Sequence, residues 1–172
     1  MLAHFAGQLV SEDGAELEEV VIAKLRKRGW TIAVAESCTG GLICSRLTDV
    51  PGASETFTHG YITYANRAKA ELLGVRADSL EKFGAVSREV ASEMATGALA
   101  ASGVDITVAV TGIAGPSGGT DEKPVGTVWI AVATKDGVES EQHRVLRKRI
   151  EFKRTVSQLA LDAVRKRISL SI

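Results

Sequence analysis

The chain has 172 residues with 21 basic and 21 acidic side chains, so its formal net charge is zero. A neutral balance with only 5% aromatic residues argues against a general nucleic-acid reader, which needs a basic surface or stacking platforms. Apolar residues make up 45%, enough for one packed domain over 1–172 without disulfides or metals. No apolar run reaches membrane-spanning length, and the start MLAHFAGQLVSEDG has no basic signal-peptide region. Cys38 and Cys44 lie too close to form a secreted disulfide framework. Both are expected to be reduced thiols in a cytoplasmic protein.

In chain order, Leu17, Val20, Val21 and Leu25 follow helical spacing and predict a helix over about 12–28, ended by Gly29. Thr31 to Ala35 reads as a buried strand. Ser37 or Thr39 is the expected cap of a helix running to about Thr48, which Pro51-Gly52 breaks. Thr56 to Tyr64 predicts a second strand. Asn66 then caps a short helix stopped by Gly74, and Asp78 opens another that ends before Gly84. Ser87 caps a helix whose apolar face is Val90, Ala91, Met94, Ala95 and Ala98. Asp105 to Thr111 and Gly126 to Thr134 read as buried strands. Asp136-Gly137 predicts a hairpin into a strand reaching about Leu146, and a final helix covers about 151–168. Alternating helices and strands followed by a late hairpin predict a three-layer α/β/α fold with a mixed sheet.

Ligands in such folds bind where strands end and helices begin. Ala35-Glu-Ser-Cys-Thr-Gly-Gly41 is one such junction, where a hydroxyl meets unpaired N–H groups and glycines allow close approach. A plain N-cap and tight turn explain the same residues. The segment 112–119 holds four glycines and a proline, and could turn N–H groups toward an anion or be an ordinary surface loop. It matches neither a Walker A nor a dinucleotide-binding fingerprint. Lys69, in the first turn of a predicted helix, opposes the helix dipole, which suits a base of lowered pKa; an exposed lysine is the ordinary alternative. His4, His59 and His143 match no metal-ligand spacing. Glu36 and the pair Asp121-Glu122 are the carboxylates open to a metal, though paired acids are usually solvated. Arg144 to Arg167 carries nine basic residues against Glu151 and Asp162, a solvated face from which one or two could hold a phosphate.

Five motifs occur in order: Ala-Glu-Ser-Cys-Thr-Gly-Gly at 35–41, Tyr-Ala-Asn-Arg-Ala-Lys at 64–69, Gly-Ala-Val-Ser at 84–87, Thr-Gly-Ile-Ala-Gly-Pro-Ser-Gly-Gly at 111–119 and Lys-Pro-Val-Gly-Thr-Val at 123–128. The chain resembles the CinA C-terminal domain family of competence/damage-inducible proteins, whose activity is nicotinamide-nucleotide amidase. Larger members carry a further N-terminal domain, and this chain resembles the stand-alone form. The resemblance implies hydrolysis of nicotinamide mononucleotide to nicotinate mononucleotide and ammonia, in pyridine nucleotide recycling, with no metal or other cofactor. It implies Ser37, Tyr64 and Lys69 as the catalytic residues, with Ser37 the nucleophile, Lys69 the base and Tyr64 bridging or relaying a proton. Thr39, Gly40, Gly41, Asn66, Gly112 and Arg149 are the expected substrate contacts, with the oxyanion held near Thr39 to Gly41 or at Gly112. Arg149 matches the family arginine, although Arg147-Lys148 replaces the usual Gly-Asp before it. The expected partner is a small nucleotide, with no nucleic acid and no membrane; a homodimer follows from the frequency of that assembly. The competing readings are a metal-dependent nucleotide pyrophosphatase and a non-enzymatic nucleotide-binding competence module.

Overall fold

The computed structural model describes residues 14–170; the side chain of Leu170 is among those left undescribed. The opening segment, including His4, therefore lies outside the described residues.

Helix α1 spans Leu17–Arg28. Glu16 and Glu19 form a reciprocal capping box, and Gly29 closes the helix at φ 64°. Acidic Glu18 and Glu19 in its first turn and Arg26, Lys27 and Arg28 in its last complement the helix dipole. Its buried face is Leu17, Val21, Ile22 and Leu25, with Ile22 inside where the sequence pattern pointed to Val20. Then come β1 (Ile32–Glu36), α2 (Leu42–Thr48), a 3-10 turn at Ala53–Glu55, and β2 (Phe57–Ile62). α3 (Asn66–Leu73), α4 (Ala77–Phe83) and α5 (Arg88–Ser102) lead to β3 (Ile106–Gly112). β4 (Thr127–Thr134), β5 (Gly137–Arg144) and α6 (Arg149–Leu170) complete the described chain.

The five strands form one mixed sheet in the order β2-β1-β3-β4-β5. β1 pairs in parallel with β2 and β3, whereas β3–β4 and β4–β5 are antiparallel. The two faces differ in side-chain size. Ile32, Val34, Ile106, Val108, Val110, Val128, Ile130 and Val132 meet α1, α2 and α6 in one core. Ala35, Ala109, Ala131 and Ala133 meet α5 and Leu73 in the other. Small residues on both sides let α5 lie close to the sheet, where Thr107 Oγ1 donates to the Ala95 carbonyl at 2.8 Å. The approach of α3 to α5 is closer still: a Cβ on Gly97 would stand 1.8 Å from the Leu73 carbonyl oxygen. On the opposite face Arg46 of α2 ties three helices, donating to Glu18 at 2.6 Å, to Ser157 Oγ at 2.9 Å and to Gln158 at 2.8 Å.

Several expected boundaries move for local reasons. The cap of α2 is neither Ser37 nor Thr39 but Gly41, at φ 95° and with no side-chain cap of its own. Ala65, not Asn66, precedes α3, and Asn66 is its first residue. α4 starts at Ala77, before Asp78. The hairpin turn is Lys135-Asp136, because Thr134 pairs with Gly137. β5 ends at Arg144 and α6 begins two residues earlier than the periodicity implied. Ser87 does cap α5, accepting from the Val90 N–H at 3.2 Å.

Candidate active site

Three parallel strands end at one place. Ser37 directly follows β1, Thr63 and Tyr64 follow β2, and Thr111 and Gly112 close β3. The β1–β2 register sets Glu36 beside Ile62, and the Thr63 N–H donates to the Glu36 carbonyl at 2.8 Å, so Ser37 and Thr63 leave the sheet side by side. Helix α3 then turns back and returns Lys69 to the same point. A cleft of about 200 Å³ opens there, lined by Ser37, Tyr64, Asn66, Lys69, Gly112 and Arg149 together with Cys38 and Thr111.

Lys69 is 1% exposed. Its Nζ donates to the Thr63 carbonyl at 2.8 Å, to the Tyr64 carbonyl at 3.4 Å and to Ser37 Oγ at 3.1 Å. No carboxylate among the described residues pairs with it, and desolvation by burial pulls its pKa below the ordinary lysine value. Cys38 is buried beside Ser37, and burial, with the Glu36 charge, pushes its thiol up to about 12. Burial likewise raises Cys44. Both shifts favour the protonated thiol over the thiolate.

Tyr64 is 61% exposed, and its hydroxyl accepts from Arg149 Nη2 at 2.7 Å. No hydrogen bond joins that hydroxyl to Ser37 or Lys69 among the described residues; the tyrosine meets the lysine through its backbone carbonyl. Arg149 also donates to the Gly115 carbonyl at 3.1 Å, so it spans the cleft mouth from the β2 side to the glycine-rich loop.

The expected donors in the elbow are arranged differently from the sequence reading. Gly40 N–H donates to the Ser37 carbonyl at 3.2 Å, and Gly41 N–H to Glu36 at 2.9 Å, so both are taken. Thr39 is fully buried and its hydroxyl has no hydrogen-bond partner among the described residues. The backbone N–H groups of Cys38 and Thr39, by contrast, donate to no oxygen acceptor among the described residues. Gly112 lines the cleft, but its glycine is required by packing: a Cβ would lie 2.9 Å from both the Thr127 carbonyl oxygen and Val128.

Glu36 was open to a metal on sequence grounds, and its geometry assigns it otherwise. It is 0% exposed. One carboxylate oxygen accepts from Gly41 at 2.9 Å and Ile43 at 3.2 Å, and the other from Cys44 at 2.8 Å. It thus supplies the first turn of α2 with the cap that Gly41 lacks, and pins the loop carrying Ser37 at both ends. Local pattern did not show this, because a cap is sought next to the helix rather than five to eight residues upstream. The signal present in the sequence was a lone acid ending an apolar strand. Asp121 and Glu122 are exposed on the loop, and no cluster of three or more His, Cys, Asp or Glu side chains able to hold a metal occurs among the described residues. No described helix is long and apolar enough to cross a membrane.

An α/β sheet with helices on both faces, bearing a buried serine–lysine pair at the ends of its parallel strands, is therefore the frame of this protein. The chain belongs to the CinA C-terminal domain family, whose model matches residues 14–168. It is 53% identical over 156 residues to a putative competence-damage inducible protein of Caldicellulosiruptor saccharolyticus, covering 91% of this chain and 38% of that protein. The chain thus spans about two fifths of that relative's length. It is 55% identical over 122 residues to the nicotinamide-nucleotide amidohydrolase PncC of Enterobacter agglomerans, covering 71% of this chain and 74% of that one. Among solved structures, the competence/damage inducible protein CihA from Agrobacterium tumefaciens superposes with a TM-score of 0.86 at 41% identity, over 89% of this chain and 93% of its own.

Proposed function

We propose that this protein hydrolyses the carboxamide of nicotinamide mononucleotide, releasing ammonia and nicotinate mononucleotide, with Ser37 as nucleophile and Lys69 as base. The observation that carries the reading is the setting of the Lys69 amine. A neutral amine has two N–H donors and one lone pair. Here it faces two carbonyl acceptors, Thr63 and Tyr64, and one hydroxyl, Ser37. In the neutral form the two N–H groups serve the carbonyls, and the lone pair replaces the third donation, so that the contact with Ser37 runs from the serine hydroxyl to the amine. Burial without a carboxylate partner favours that neutral form.

The chemistry follows. Ser37 Oγ attacks the carboxamide carbon as its proton passes to Lys69. The N–H groups of Cys38 and Thr39, directly after the nucleophile, are the candidate donors to the oxyanion, with Cys38 the one that lines the cleft. The Lys69 ammonium donates a proton to the nitrogen as the C–N bond breaks and ammonia leaves. Water, deprotonated by the again neutral Lys69, cleaves the acyl-serine. Tyr64 and Arg149 close the mouth of the cleft over the nucleotide, which gives Tyr64 a substrate-holding part rather than a proton relay. The homologous amidohydrolase of Enterobacter agglomerans supports the substrate class. The test is ammonia release from nicotinamide mononucleotide by the purified protein, with Ser37→Ala as control and EDTA present. Release that needs Ser37 and persists in EDTA supports the reading; no release, or release abolished by chelation, rejects it.

A further inference from the structure

Resting on the amidase reading above, we infer that Lys153, with Arg149, forms the subsite for the phosphate monoester of the nucleotide, and that Lys153 sets the preference for nucleotide over nucleoside. Both residues lie near the start of α6, four apart, and so on one helix face about 6 Å along the axis from each other. Arg149 lines the cleft that holds Ser37. Lys153 stands over the elbow on the other side: its Nζ is 3.5 Å from where a Cβ of Gly40 would be. The lysine is half-buried and makes no hydrogen bond or ion pair among the described residues. Gly40, at φ 61°, presents bare backbone to it.

Two cations at this spacing repel each other, and both oppose the positive end of the helix dipole. Unfavourable choices gathered at one point, with the lysine left unpaired, are relieved together by an anion seated between them. The reacting carboxamide belongs at Ser37, so the phosphate, separated from it by ring and ribose, falls at the cleft mouth. Arg149 stands at that mouth, and Lys153, one turn further along the same face of α6, reaches Gly40 of the loop that carries Ser37. A dianionic monoester offers each cation its own oxygens, as a carboxylate does less well.

The test uses the full chain with Lys153→Met and Lys153→Arg. Ribose 5-phosphate and ribose are titrated calorimetrically, and deamidation of nicotinamide mononucleotide and of nicotinamide riboside is measured alongside. The expected result is ribose 5-phosphate binding weakened roughly tenfold in Lys153→Met and restored in Lys153→Arg, matching loss of one charge-assisted contact. KM for the mononucleotide should rise by a similar factor with kcat nearly unchanged, while kcat/KM for the riboside stays at its starting value. Undiminished ribose 5-phosphate binding by Lys153→Met, binding of ribose as tight as ribose 5-phosphate, or an equal loss on the riboside overturns the inference. Absence of any ammonia release from the unaltered protein defeats the amidase reading instead, and the calorimetric arm still decides the phosphate subsite.

Discussion

Replacing Glu36 probes the part of the site that the Ser37 motif conceals. The carboxylate accepts three backbone N–H groups, two on one oxygen and one on the other, in a place closed to water. In Glu36→Gln the amide oxygen can keep Gly41 and Ile43, but its NH₂ then faces the Cys44 N–H, donor against donor. One charge-assisted bond is lost, worth about 1.5–3 kcal/mol, and one buried N–H is orphaned. Against this, a neutral side chain avoids the cost of burying a carboxylate. The net loss is about 2 kcal/mol, a fall in Tm of roughly 4–8 °C for a domain of this length. Glu36→Ala orphans all three donors at about 1 kcal/mol or more each, so it loses at least ~3 kcal/mol. Because the same bonds pin the loop behind Ser37, amidase kcat should fall on the order of a hundredfold in Glu36→Gln while KM changes little, as misplacement of a reacting group does. The assay is thermal unfolding followed by circular dichroism, with ammonia release on the folded variant. A Glu36→Gln protein that melts within 1–2 °C of the parent and retains its kcat would refute the positioning argument.

Ser37→Ala should lower turnover on the order of a thousandfold with an unchanged melting curve, whereas Cys38→Ala should keep most activity; an inactive Cys38→Ala with a working Ser37→Ala reverses the assignment. The rate should rise with pH through a group titrating below the ordinary lysine value, since burial depresses Lys69 and only the neutral amine accepts the Ser37 proton. Lys69→Arg should be nearly inactive at every pH in that range, because a guanidinium keeps its proton; a pH-independent rate, or an active arginine variant, removes Lys69 as base. Stability follows the same group. Below its folded pKa both states hold the proton and the burial penalty is at its full value. Between that pKa and the ordinary value of 10.5 the unfolded chain holds more protons, so urea midpoints should rise with pH across that window and Lys69→Met should flatten the rise. Gly97→Ala should destabilise by about 3 kcal/mol or more, since its Cβ would sit 1.8 Å from the Leu73 carbonyl oxygen and backbone must move; an unchanged Tm contradicts the packing described for α3 on α5.

Much of the fold was legible because local chemistry decides it. The apolar spacing of α5, its Ser87 cap and its Gly103 stop are read within 17 residues of chain. The unbroken apolar runs of β1, β3 and β4 mark strands covered on both faces. The motifs at 35–41 and 64–69 single out Ser37 and Lys69 through their resemblance to the family. The tertiary structure alone brings their side chains within 3.1 Å of each other. Lys69 reaches Ser37 because β1 and β2 are parallel neighbours in register, a pairing between segments more than 20 residues apart that no local pattern encodes. Tyr64 and Arg149, 85 residues apart, share a hydrogen bond through the tyrosine hydroxyl. Glu36 shows the boundary most clearly. Its identity is plain in the sequence, but a buried carboxylate takes its meaning from the donors around it. Those donors are assembled only when the elbow closes and α2 docks on the sheet, since burial and hydrogen-bond geometry are properties of the packed chain rather than of its spacing.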